Sequence, residues 1–183
     1  VHYRKLHGEV FCMKHDKLLK LVLAAIFAAL TCVATMLIHI PMPATNGYIN
    51  LGDGMVLLGA FLLGPAYGFA AGGLGSMLAD LLLGYASYAP GTFVIKGLTA
   101  LAAALILRTM HGKTAGLAAG AAAGEIVMVL GYFAYESTVL GYGLAAAASI
   151  PGNAIQGAAG VVVSILAYKA LHAVPSIRRM SYC

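Results

Sequence analysis

Charge is what this sequence has least of. Only 9% of its 183 residues are Asp, Glu, Lys or Arg, where a soluble domain carries about 25%. Cysteine is scarce too. Cys12, Cys32 and Cys183 are odd in number and scattered, which leaves no disulfide framework and no metal-ligand spacing. Signatures of chemistry are also missing. Gly112-Lys113-Thr114 reproduces only the tail of a GxxxxGK(S/T) phosphate loop, with Leu107 where the first glycine belongs. Neither HExxH nor GxSxG occurs, and the histidines are dispersed. A membrane enzyme would need clustered acids, histidines or a metal site, and the sequence offers none. A net charge of +5 does not point to nucleic acid, because the basic residues fall in short clusters beside apolar runs.

What is present is apolar. The chain is 61% hydrophobic, with a mean hydropathy of +0.90. A soluble fold of this size could not hide so much apolar surface, so the reading is an all-α integral membrane bundle. A membrane helix needs about 20 apolar residues, and six spans fill the chain: 18–38, 51–64, 66–84, 91–108, 114–135 and 142–171. Breakers separate them, among them the two prolines and Asn-Gly of 39–50 and the Gly64-Pro65 step. The second span is short, which is tolerated only where protein or a cavity covers the freed backbone. Residues 1–12 read as an upstream extension before a natural start at Met13, 13–175 as the membrane domain and 176–183 as a tail.

The cations set the orientation. Arg4, Lys5, Lys14, Lys17 and Lys20 precede span one, Arg108 and Lys113 flank the fourth–fifth loop, and Lys169, Arg178 and Arg179 follow span six. The loops 39–50, 85–90 and 136–143 hold no Lys or Arg. Six spans put every flanking cation on one side, which predicts cytoplasmic N and C termini. Lys96, inside GTFVIKGLTALAAALILR (91–108), is the exception.

A helix rises about 1.5 Å per residue. Lys96 lies twelve residues from Arg108 and Glu125 twelve from Lys113, so both sit roughly 18 Å from the cytoplasmic edge. Asp80, Asn153 and Gln156 fall in about the same layer. An ionisable residue at this depth normally faces the bundle interior, pairs with another, or lines a pathway. Lys96 with Glu125 is the candidate pair, either as a structural ion pair or as part of a ligand pocket. Asn153 and Gln156, spaced i, i+3 after Pro151, add uncharged hydrogen-bonding groups on one helix face. Tyr48, Tyr85, Tyr88, Tyr132, Tyr135 and Tyr142 fall at the outer edge, either as an interfacial belt or as walls for a flat heterocycle.

The stripes Gly64/Gly68/Gly72 and Gly116/Gly120/Gly124 suit close helix packing. Ala24/Ala28 and Ala25/Ala29 form two registers of AxxxA in span one, for ordinary packing or for docking another membrane subunit.

The stretch YINLGDGMVLLGAFLLGPAYGFAAGGLGSMLADLLLGYASYAPGTFVIKGL (48–98) resembles the substrate-binding S components of energy-coupling factor (ECF) vitamin transporters. The likeness is to the riboflavin-transporter S-component family, in its short pyridoxine- and hydroxymethylpyrimidine-like branch. LAAIFAAL (23–30) and PGNAIQG (151–157) resemble its first-helix AxxxA and sixth-helix Asn-x-x-Gln segments. The resemblance implies a non-enzymatic subunit of a prokaryotic plasma membrane that captures a vitamin or vitamin precursor from outside. It implies docking through Ala24, Ala25, Ala28 and Ala29 on a transmembrane T subunit carrying two ATPases. ATP is then used by those partners, and no cofactor is bound by this chain. The implied pocket contains Asn50, Tyr88, Lys96, Glu125, Tyr132, Asn153 and Gln156, while Asp53 is expected to cap helix two or to order the first loop. The readings from other classes are a membrane enzyme acting on a lipid-borne substrate and a self-sufficient small carrier.

Overall fold

The computed structural model describes the backbone of residues 2–42, 45–111 and 113–173, and the side chains of 17–42, 45–111, 113–171 and 173. The tail at 176–183 lies outside the described residues, and for the extension at 1–12 only backbone is described. Among the described residues six α-helices follow one another: α1 (His2–Leu37), α2 (Gly52–Leu63), α3 (Pro65–Leu83), α4 (Ala89–Thr109), α5 (Thr114–Thr138) and α6 (Ile150–His172). All but α2 contain segments long and apolar enough to cross a membrane. Those segments, Lys17–Leu37, Pro65–Leu83, Ala89–Thr109, Thr114–Thr138 and Gly143–Leu171, lie within a few residues of the expected spans, although α1 itself starts at His2.

Two local features depart from the all-helical expectation. Between α1 and α2 the chain forms an antiparallel hairpin, β1 (His39–Met42) with β2 (Gly47–Asn50), in the register His39–Asn50 to Met42–Gly47. Before α6, residues Gly143–Ser149 form a 3-10 helix.

α2 has only 12 residues, about 18 Å of helix. It packs on α1, α3, α4 and α6. Val56, Leu57, Leu58, Ala60, Phe61 and Leu63 are all buried. A helix that is apolar all round belongs in a core, and here the surrounding helices cover the ends of one that is too short to span. Gly64, at φ 81°, turns the chain directly into α3, which opens on Pro65.

Gly68 and Gly72 of α3 and the glycines of α5 are packing positions, whereas Gly64 of the expected stripe faces open space in the turn. A Cβ on Gly68 would meet the Ala60 backbone at 2.8 Å, and one on Gly120 would meet the Ala103 carbonyl oxygen at 2.6 Å. These contacts hold α3 close to α2 and α5 close to α4. The two alanine registers of α1 separate. Ala24 is buried in the core and Ala28 packs its backbone on Gly75 of α3. Ala25 and Ala29 are exposed. Ala24 is thus buried and Ala28 half-buried, and of the four alanines expected to dock a partner subunit Ala25 and Ala29 are the exposed ones.

Candidate functional site

Among the described residues Lys96 of α4 is a buried cation, and its partner is Asp53 of α2, not Glu125. Lys96 Nζ donates to Asp53 Oδ1. The expected Lys96–Glu125 pair is therefore corrected. The expected capping role of Asp53 is corrected with it, because α2 carries no side-chain cap. Asp53 is instead 1% exposed and holds a cation from the neighbouring helix. Burial of both charges demands such a pairing, since either one alone would be stranded in a low dielectric.

From this pair a hydrogen-bonded chain runs to the hairpin. Gln156 Nε2 of α6 donates to Asp53 Oδ2 at 2.6 Å. The Gln156 carbonyl accepts from the backbone N–H of Asn50 in β2 at 2.7 Å. Asn50 Oδ1 in turn accepts from the N–H of Gly52 at 2.8 Å, which stabilises the turn into α2. Lys96 Nζ also lies 5.4 Å from the centre of the Tyr132 ring, within cation–π reach.

Beside this chain, under the hairpin, is a small polar hollow. Its roof is Met42, Gly47, Tyr48 and Asn50 of the hairpin; its walls are Asp80 of α3, Thr92 of α4, Tyr132 and Glu136 of α5, and Asn153 and Gln156 of α6, with Tyr88 at the start of α4. Its volume is about 20 Å³, room for about one water. The roof is fastened at several points along its edge. Tyr48 Oη donates to Asp80 Oδ1 at 2.5 Å, Tyr88 Oη donates to the Thr45 carbonyl at 2.6 Å, and Asn46 Nδ2 donates to Tyr142 Oη at 3.1 Å. Burial, and then the Asp80 carboxylate, push the Tyr48 hydroxyl well above its ordinary pKa, so it remains a donor. Glu136 accepts from Ser149 Oγ at 2.5 Å, and its other carboxylate oxygen lies 3.1 Å from Tyr88 Oη, whose one proton goes to the closer Thr45 carbonyl. The tyrosines form a connected rim: Tyr48–Tyr85, Tyr85–Tyr88 and Tyr88–Tyr135 have ring centres 4.7, 6.5 and 6.3 Å apart.

Of the residues expected from sequence, Asn50, Tyr88, Tyr132, Asn153 and Gln156 line the hollow, and Lys96 supports it from beneath through Asp53 and Tyr132. Glu125 does not line it. Its carboxylate sits against Gly157 and Gly160 of α6, with neither oxygen hydrogen-bonded, beside an apolar groove between α5 and α6. Asp53, Asp80, Thr92, Tyr48 and Glu136 are missing from the expected set. Helical spacing could have found two of them. Thr92 lies four residues before Lys96, and Glu136 lies four after Tyr132, so each shares a face with a residue already singled out. Among the described residues no cluster of His, Cys, Asp and Glu could hold a metal ion.

Apolar helices enclosing a polar chamber, roofed by a hairpin hydrogen-bonded to α3, α6 and the segments beside α4 and α5, define a polytopic membrane protein built around an internal site. The sequence profile described as "ECF-type riboflavin transporter, S component" matches residues 15–173. The chain belongs to that family. It is 41% identical over 133 residues to the "Uncharacterized protein in gap 3'region" of Pyrococcus woesei, covering 72% of this chain and 86% of that one. It is 30% identical over 153 residues to "Thiamine precursor transporter HmpT" of Lactococcus lactis subsp. cremoris (strain MG1363), covering 83% and 87%. Its fold matches the solved "Structure and mechanism of the S component of a bacterial ECF transporter" with a TM-score of 0.66 at 20% identity, covering 86% of this chain and 97% of that one.

Proposed function

We propose that this chain captures a vitamin or vitamin-precursor heterocycle at the hairpin side of the membrane and delivers it through an ATP-driven ECF complex. The observation that carries this reading is the convergence of polar and aromatic side chains from α3, α4, α5 and α6 on one hollow beneath the hairpin. Membership of the S-component family and likeness to a thiamine precursor transporter support it. The cation-free hairpin faces outside and both termini face the cytoplasm. The hollow is too small for a heterocycle while the roof is fastened, so loading lifts the hairpin by breaking the Tyr48–Asp80, Tyr88–Thr45 and Asn46–Tyr142 contacts. Asn50, Tyr88, Tyr132, Asn153 and Gln156 then face the solute, with Lys96 and Asp53 holding the floor. The exposed Ala25/Ala29 register of α1 presents the docking face to the T subunit, and the two ATPases on that subunit supply the energy.

The test is uptake in cells expressing this chain with and without a T subunit and its ATPases, alongside binding to the purified chain. Capture by the purified chain, with uptake only when the partners are present, is the expected result. Uptake by this chain alone would refute delivery through a complex.

A further inference from the structure

Glu125 of α5 is a buried acid that the hollow does not use. It is 6% exposed, and among the described residues neither of its oxygens has a hydrogen-bond partner. On one side it adjoins the groove between α5 and α6, whose other lining residues are aliphatic or glycine and offer it nothing. On the other side lies the ion pair. A Cβ on Gly160 would stand 3.1 Å from Glu125 Oε1 and 2.8 Å from Asp53 Cβ, so the two acids meet against one point of α6. The charged groups that act on Glu125 are the Asp53 carboxylate and the Lys96 ammonium. One cation thus serves two buried acids from different helices, and the acid it does not touch carries its desolvation cost in full.

The packing brings that cation close to the second acid. α5 lies directly on α4 at this level: a Cβ on Gly124, next to Glu125, would meet the Thr99 carbonyl oxygen at 2.8 Å, and Thr99 is three residues from Lys96. The ammonium already faces α5, since Nζ lies 5.4 Å from the centre of the Tyr132 ring. Tyr132 follows Glu125 by seven residues, two turns along one helix face. A lysine carries its charge on a flexible four-carbon stem with three rotatable donors, so its charge is moved by side-chain torsions and not by helix displacement.

We infer that Glu125 is a reserve counter-ion: the Lys96 ammonium has two positions, on Asp53 of α2 in the resting chain and on Glu125 of α5 when Asp53 is drawn away. The exchange re-ties the bundle. On Asp53 the ammonium fastens α4 to α2, and α2 is joined to the roof by the Asn50–Gly52 bond. On Glu125 it fastens α4 to α5 and frees α2, together with the hairpin, from α4. The ammonium keeps a carboxylate throughout, and Asp53 keeps the Gln156 amide. The exchange is independent of what the hollow holds.

The experiment places Glu125→Gln in three backgrounds of the purified full chain (unaltered, Asp53→Asn, and Lys96→Met with Asp53→Asn) and reads the melting midpoint in detergent. In the unaltered chain Lys96 sits on Asp53, and the midpoint is expected to hold or rise. In Asp53→Asn the ammonium has passed to Glu125, so removing that acid strands it and lowers the midpoint by about a further 6–12 °C, the scale of breaking one buried pair. In the third background there is no ammonium to pass, and the midpoint is expected to hold or rise again. An acid with only a local packing role would cost the same in all three backgrounds, and that outcome would overturn the inference. An Asp53→Asn chain that melts no lower after Glu125→Gln would overturn it as well. So would an Asp53→Asn chain that does not fold, because a reserve partner keeps the ammonium paired when Asp53 is lost.

Discussion

Replacing Lys96 with methionine strikes a buried ion pair between α4 and α2. Methionine keeps an unbranched apolar stem but removes the ammonium, which leaves Asp53 Oδ1 without its cation. Lys96 is 2% exposed and Asp53 1%, so water cannot replace the lost partner. Removing one member of a buried ion pair costs about 3–5 kcal/mol. The Gln156 amide still donates to Asp53 Oδ2 at 2.6 Å, which places the expected loss near the lower end, about 3 kcal/mol. A chain of 150–250 residues loses about 2–4 °C of melting temperature per kcal/mol, so the midpoint falls by roughly 6–12 °C. Adding Asp53→Asn removes the stranded charge while keeping an acceptor and a donor in place. The double variant is expected to regain about half of the loss or more. The assay is thermal unfolding in detergent, read as the folded fraction surviving on size exclusion. A single variant that melts within about 2 °C of the parent, or a double variant no more stable than the single, would refute the assignment of Asp53 as the counter-ion.

Two further outcomes follow from the packing. Ala25→Leu with Ala29→Leu adds bulk to an exposed face of α1 that touches neither core nor hollow, so ligand affinity of the purified chain is expected to hold within about twofold while complex-dependent uptake is lost; retained uptake would remove this face from the docking role. Glu125→Gln leaves the melting midpoint unchanged or raised, because neither carboxylate oxygen has a partner and an amide has no charge to desolvate. It also leaves ligand affinity within about twofold, and a loss of about tenfold would return Glu125 to the pocket.

The spans were legible because their signals are local. Apolar runs of the right length end at Gly64-Pro65, at the prolines of 39–50 and at Met110–Lys113, and nothing distant competes with them. The need of Lys96 for a buried partner was legible too. The choice of partner was not, because counting depth from basic flanks puts Glu125 at the level of Lys96 whichever way its helix is rotated. The structure turns that carboxylate toward Gly157 and Gly160. The same ruler finds the true partner. Asp53 lies twelve residues before Pro65, again roughly 18 Å from that edge. Its position at the start of a short helix made a cap the simpler reading. Asp80 fell in the right layer, but that α3 joins the chamber wall depends on the hairpin folding over it, a contact between residues 48 and 80 that no periodicity reports.

Gln156 spends both ends of one amide. Its oxygen grips the strand above and its nitrogen grips the carboxylate below. A guest that displaces either bond releases one end of the link between the strand and the carboxylate. Lifting the cover and disturbing the anchored charge between α2 and α4 are thereby geared together through one residue, and the bundle can register from its midst that something has arrived above.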